Sequence, residues 1–200
     1  MANSLSPLAL KKIMQQAAKE KIFLKEIKIS IKNKVVDAHE EFLKKFNSHP
    51  VTTEIEGGPS ASNMSRTLGG VGNLYTYIGF PSGSSPIRPL RILLEKYKIR
   101  YHHTKQGIRI TVELPTKEEA FQVTPMPWAT GRSWARGIER GISGLGRYLV
   151  SSRNIAKSRS GKAIEVKGRV RGGRFSNTSY LSTLLNDYYK KIQQLERKTF

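Results

Sequence analysis

The 200-residue chain contains no cysteine, which removes disulfides and thiolate-based metal or redox sites from consideration. It also lacks any uninterrupted apolar run near the ~18 residues that a membrane-spanning helix needs, so no membrane association is expected. The opening MANSLSPLALKKIMQQ has no basic leader followed by an apolar core, and a secretory signal is not expected there. Its pattern suits a basic amphipathic helix, which makes a transit peptide a weaker exclusion. Acid is scarce as well: 15 Asp+Glu stand against 35 Lys+Arg, a formal net charge of +20. Such a balance implies an anionic partner, or an assembly whose other members are acidic.

With few carboxylates, convergent acid–base chemistry is hard to build. The four histidines, His39, His49, His102 and His103, have no metal-ligand spacing, and neighbours 102 and 103 point to opposite sides of any strand. His39 lies one position from an apolar helical seam and reads as packing. Glu54 and Glu56 fall on one face of an expected strand, where a solvated face outweighs an acid pair. The glycine-rich Gly69-Gly-Val-Gly72 fits neither a GxGxxG turn nor a phosphate loop, and Ser158-Arg-Ser-Gly-Lys162 lacks the first glycine and the following Ser/Thr of such a loop. No active site, cofactor or metal is expected.

What the chain does have is a concentrated basic region. Residues 129–175 hold twelve Lys+Arg and two Asp+Glu, a net of +10 and half of the whole surplus. Its leading part is Pro125–Leu149. Trp134, Ile138, Ile142, Leu145 and Leu149 follow spacings of four, four, three and four, one face of a helix. Gly137, Gly141, Gly144 and Gly146 interrupt that pattern, each at a cost of roughly 0.5–1 kcal/mol in a helix interior. Glycine there makes sense where another backbone must come close. Arg132, Arg136, Arg140 and Arg147 occupy much of the rest. The expectation is an apolar stripe against the protein's own core and a small, basic side against a neighbour, capped by Thr130 or Ser133. The alternative is a loose loop–helix–loop punctuated by glycine.

Elsewhere, residues 8–47 read as helical through Ile13, Ala17, Leu24, Ile27, Ile31, Val35, Ala38, Phe42 and Phe46, with Ser6 and Pro7 at the start and a break near residues 20–22. The segment 1–47 is expected to lie partly outside the core. Val51–Glu56 and Leu74–Phe80 read as strands, separated by a Gly/Ser/Asn loop. Ser85 and Pro86 start a helix with Leu90, Leu93, Leu94 and Tyr97 inward. Lys98–His103 and Ile108–Leu114 form a hairpin, with Ile108, Ile110, Val112 and Leu114 on its buried side. Residues 115–119 read as an exposed polar link. Residues 150–175 form a basic loop or arm containing a possible strand at 163–171, and Asn177 to about Arg197 is a helix. The fold class is α+β: a small antiparallel sheet flanked by helices, with a long N-terminal helix and basic extended arms, in a domain spanning 48–200.

Three stretches, Gly69-Gly-Val-Gly-Asn-Leu-Tyr-Thr-Tyr-Ile-Gly-Phe80, Pro86-Ile-Arg-Pro-Leu90 and Met126–Leu145, resemble the neck and tail-completion proteins of tailed bacteriophages. The resemblance covers roughly residues 30–195. It implies an α+β subunit assembled as a ring between portal or connector and tail tube, with no cofactor and no enzymatic activity. The implied partners are copies of itself, portal or connector neighbours, tail-tube or sheath proteins and, non-specifically, genome DNA. The implied location is the virion neck or tail, and the host cytoplasm during assembly. Expected contact residues are Leu24, Ile27 and Ile31 of the first helix, with Arg132, Arg136, Gly137, Arg140, Gly141, Gly144, Arg147, Arg153, Lys157, Arg159 and Lys162. A different reading is a basic nucleic-acid-binding protein, ribosome- or genome-associated, contacting phosphates through charge and stacking bases on Trp128, Trp134 or the Tyr75/Tyr77 pair. No RNA-recognition motif, zinc finger, GXXG loop or helix-turn-helix signature accompanies it.

Overall fold

A computed structural model describes residues 6–17, 21–68, 72–104, 107–127, 129–140, 148–149, 164–165 and 177–197. Its helices are α1 (Pro7–Ala17), α2 (Lys21–Asn47), α3 (Pro50–Glu56), α4 (Leu74–Ile78), α5 (Ile87–Leu94), α6 (Lys117–Gln122), α7 (Trp134–Arg140) and α8 (Leu181–Arg197). The strands are β1 (Lys98–Thr104), β2 (Gly107–Glu113), β3 (Pro125–Met126), β4 (Ala129–Ser133), β5 (Tyr148–Leu149) and β6 (Ile164–Glu165), which pair in order as three antiparallel two-stranded ladders. The class is α+β, with the expected long N-terminal helix.

The chain divides into two compact units, and α2 and α8 each contribute to both. The first draws on the described residues of 1–42, 97–114 and 187–200. Here Val35, Ala38 and Phe42 of α2 are buried, as are Ile108 and Ile110 of β2 and Tyr188 and Ile192 of α8. Phe42 stacks on Tyr188 with ring centroids 4.5 Å apart. Buried His39 meets the Tyr188 hydroxyl through Nδ1 at 2.9 Å and lies against Tyr97, the packing role its position suggested. Burial pushes the Tyr188 hydroxyl well above its ordinary pKa, and Tyr97 adds to the shift. The hairpin has the expected alternation, with Tyr101 paired to Ile110 and His103 to Ile108. Glu196 accepts the Val112 N–H at 2.9 Å, and Lys191 pairs with Glu41.

The second unit draws on the described residues of 43–96 and 115–186. Its centre is Tyr180, fully buried, which stacks on Phe46 and on Trp134 at 6.3 and 6.4 Å and donates to or accepts from the Thr52 hydroxyl at 2.8 Å. Burial drives the Tyr180 hydroxyl far above its ordinary range, against the partial relief that Thr52 gives.

Four expectations are corrected. Val51–Glu56 is helix α3, not a strand. Pro50 takes the first turn, His49 Nδ1 accepts the Val51 N–H at 3.2 Å, and Val51 and Ile55 are buried four residues apart. Leu74–Ile78 is likewise helix α4: Asn73 caps it by accepting the Thr76 N–H at 2.9 Å, and Gly79 closes it at φ 82°. In both, terminal signals overrode the β-branched and aromatic composition between them. Residues 115–119 are only in part the exposed stretch expected: Thr116, Glu118 and Glu119 are exposed, but Pro115 is buried and a capping box between Thr116 and Glu119 opens α6; those Thr116 bonds hold the Glu119 carboxyl below its usual range. The helix expected up to Leu149 is described as α7 only to Arg140, and Tyr148–Leu149 pairs as strand β5 with Ile164–Glu165. Smaller shifts follow: Pro86 rather than Ser85 occupies the cap position of α5, with no side-chain cap bond, and α8 begins at Leu181 rather than Asn177.

Candidate interaction surface

Helix α7 presents three separate faces. Its start is fixed by Ser133, whose hydroxyl accepts the Arg136 N–H at 3.1 Å and meets the Thr124 hydroxyl at 2.7 Å, while the Trp134 N–H donates to the Thr124 carbonyl at 2.8 Å. Of the two expected caps, Ser133 therefore serves, and Thr130 lies within β4. The inner face buries Trp134, Ala135, Gly137 and Ile138, with the Trp134 ring edge-on to Phe80 at 5.9 Å. Gly137 thus sits inside the protein, not on a surface offered to a neighbour.

The one carboxylate of α7 is turned toward α8. Glu139 accepts the Ser182 N–H and the Ser182 hydroxyl, each at 2.6 Å. It thereby satisfies a first-turn donor of α8 and complements the positive end of that helix. What remains on the outer face is cationic. Arg136 and Arg140 are exposed one helical turn apart, and Arg132 is exposed on β4. The Arg136 guanidinium lies 4.6 Å from the centroid of the Phe121 ring, a contact worth about 0.5–1 kcal/mol at an exposed site. Arg136 remains exposed despite this contact.

Among the other expected contact residues, Leu24, Ile27 and Ile31 are half-buried on α2. Gly141, Gly144, Arg147, Arg153, Lys157, Arg159 and Lys162 lie outside the described residues, as does Trp128. More fully exposed apolar side chains occur on α1, where Leu8, Leu10 and Ile13 are 71%, 50% and 49% exposed, and at Ile29 of α2. Of these the helical seam had picked out Ile13 alone. The spacing of apolar residues was readable, but which of them go uncovered is a tertiary fact.

Of the acidic and histidine residues weighed for chemistry, Glu54, Glu56, His39 and His49 have structural work. Glu54 is fully buried, which corrects its reading as part of a solvated strand face. Its Oε1 accepts the Leu74 N–H at 2.7 Å and the Asn63 amide at 2.9 Å, and Oε2 accepts the Ser65 N–H at 2.7 Å. Glu56 pairs with Arg91 at 2.6 Å. No group of three or more His, Asp or Glu able to hold a metal occurs among the described residues, and no described helix is long and apolar enough to cross a membrane. Comparison with protein-family models, curated proteins and solved structures gave no match.

Proposed function

We propose that this chain is a structural subunit of a tailed-phage virion, a neck or tail-completion protein that forms a ring between portal or connector and tail tube. The observation that carries the subunit reading is α1, which leaves Leu8, Leu10 and Ile13 in solvent on a helix whose charged residues are Lys11 and Lys12. Apolar side chains gain roughly 25 cal/mol per Å² when covered, and this chain leaves these three uncovered. The half-buried Leu24, Ile27 and Ile31 extend the same need along α2. The phage part of the proposal is supported by the likeness of residues 69–80, 86–90 and 126–145 to neck proteins.

The cationic outer face of α7 is the second contact in this reading. Arg136→Glu with Arg140→Glu is expected to block joining of heads to tails while the purified protein stays folded, its melting temperature lowered only by the roughly 1–4 °C that loss of the Phe121 contact costs. Electron micrographs of the protein alone and with tail tubes are the direct test. Closed rings or capped tubes support the proposal. A monomer that binds random duplex DNA tightly, with affinity falling steeply as salt rises, overturns it in favour of a nucleic-acid-binding protein; the +10 balance of residues 129–175 is what favours that alternative.

A further inference from the structure

Helix α1 stands almost bare. Ser6 starts it: its hydroxyl accepts the Ala9 N–H at 3.2 Å and its carbonyl accepts the Leu10 N–H at 3.0 Å. Among the described side chains of α1, Ala9 alone is half-buried and the rest are exposed. A helix of 11 residues is marginal by itself in water, so a surface that covers it would stabilise it. Its sides differ in kind. Leu10 and Ile13, three residues apart, share one side, and Lys12 and Gln16, four apart, share another. Leu8 stands off the Leu10–Ile13 side, in the first turn, where helical side chains lean back toward the N-terminal end.

The charge on α1 has one sign. Lys11 and Lys12 are its only charged residues, and residues 1–19 hold three lysines and no Asp or Glu. These cations differ from those on β4 and α7, where the exposed ones are Arg132, Arg136 and Arg140. Arginine is enriched and lysine depleted in contacts between proteins, because a guanidinium pairs in a fixed fork while an ammonium keeps its water. Lysine instead suits a helix resting on an apolar layer: the flexible stem covers apolar surface and the ammonium stays wet.

We infer that α1 docks in the plane of an anionic phospholipid bilayer, with Leu10 and Ile13 at the acyl boundary and Lys11 and Lys12 at the headgroup phosphates. At about 16 Å long it is too short to cross, and no described helix has the length and apolarity to do so; lying in the interface requires neither. A fluid surface also takes in Leu8, since the helix can tilt its N-terminal end downward, whereas a rigid groove covers one stripe. The inference goes beyond the ring-subunit reading and does not rest on it. The bilayer covers α1 in the unassembled chain, and in that reading a neighbour replaces it on assembly.

The test uses the purified full chain with vesicles of phosphatidylcholine alone and of phosphatidylcholine mixed equally with phosphatidylglycerol. A chain of net charge +20 adsorbs to anionic vesicles through charge alone, so the deciding variants keep the charge. The wild type is expected to sediment with the mixed vesicles only. Leu10→Ser with Ile13→Ser is expected to weaken that binding roughly tenfold or more, and Lys11→Gln or Lys12→Gln roughly fivefold each. The chain has no cysteine, so an environment-sensitive dye on Leu10→Cys or Gln16→Cys reports one position at a time. With mixed vesicles the dye at position 10 should shift to the blue and the dye at position 16 should not. Unchanged melting temperatures show that each variant is folded. A wild type that ignores mixed vesicles, binding indifferent to the Leu10 and Ile13 changes, or equal responses from the two dyes overturns the inference. A dye at position 10 that shifts when the protein is concentrated without lipid overturns it in favour of a protein contact. Rings that form while vesicle binding fails remove the membrane contact and leave the ring-subunit reading standing. Insertion of position 10 by a chain that never forms rings keeps the contact and removes that reading.

Discussion

Replacing Glu54 tests whether a buried carboxylate organises the second unit. In Glu54→Ala the Leu74 N–H, at the first turn of α4 and fully buried, loses its 2.7 Å acceptor, and the Asn63 amide and Ser65 N–H lose theirs. An unsatisfied buried donor costs about 1–3 kcal/mol, and bonds to a charged group are the stronger kind. The Leu74 donor carries the full penalty, whereas Asn63 and Ser65 are half-buried and regain part of theirs from water. The expected loss is therefore about 3 kcal/mol for Glu54→Ala. Glu54→Gln keeps one acceptor oxygen but turns an NH₂ toward an N–H donor, and about 2 kcal/mol is expected. Urea unfolding followed by tryptophan fluorescence reads the change, because Trp134 lies in the same unit. A Glu54→Gln variant within about 0.5 kcal/mol of wild type, the range of ordinary surface substitutions, refutes the reasoning.

Tyr180→Phe removes the hydroxyl from the buried 2.8 Å contact with Thr52 and is expected to cost about 1–2 kcal/mol in urea unfolding, while Tyr180→Phe combined with Thr52→Val recovers much of it because no polar group is then left unpaired. His49 has its pKa lowered by burial, only partly offset by a backbone bond to Ser179, so the folded chain binds that proton less well than the unfolded one. Its contribution to stability is complete above the unfolded pKa near 6.5 and is lost as pH falls below it. Urea midpoints followed from about pH 8 to about pH 5 should fall more steeply for wild type than for His49→Asn, which keeps a capping acceptor for α3 but cannot titrate; parallel profiles contradict this.

The elements legible in the sequence were those whose pattern repeats over many turns. In α2 the buried Val35, Ala38, Phe42 and Phe46 keep their spacing, and in β2 Ile108 and Ile110 alternate with Arg109. The short helices α3 and α4 were misread because Val51, Thr52, Thr53 and Ile55, and Tyr75, Thr76, Tyr77 and Ile78, favour strands by type. Within five to seven residues composition says little, and the caps decide: Pro50 after His49, and Asn73 with Gly79. The Thr116–Glu119 box was visible in the sequence and marked a helix start that composition hid. At the candidate surface, Trp134 and Ile138 were assigned inward and Arg136 and Arg140 outward, as the helical period requires. The inward turn of Glu139 and the placement of Arg136 over Phe121 were not legible, because each depends on a partner 43 residues away in one case and on another helix in the other. Glu54 was missed for the same reason, since its ligands come from a loop whose course no periodicity records.

The first unit carries a consequence for the timing of biosynthesis. Its buried contact between His39 and Tyr188 joins residues 149 apart in sequence, so the ribosome must pass Tyr188 before this partner of His39 and Phe42 exists. Until then that part of the α2 seam lacks its α8 cover, a point of attachment for a chaperone that shelters amphipathic helices.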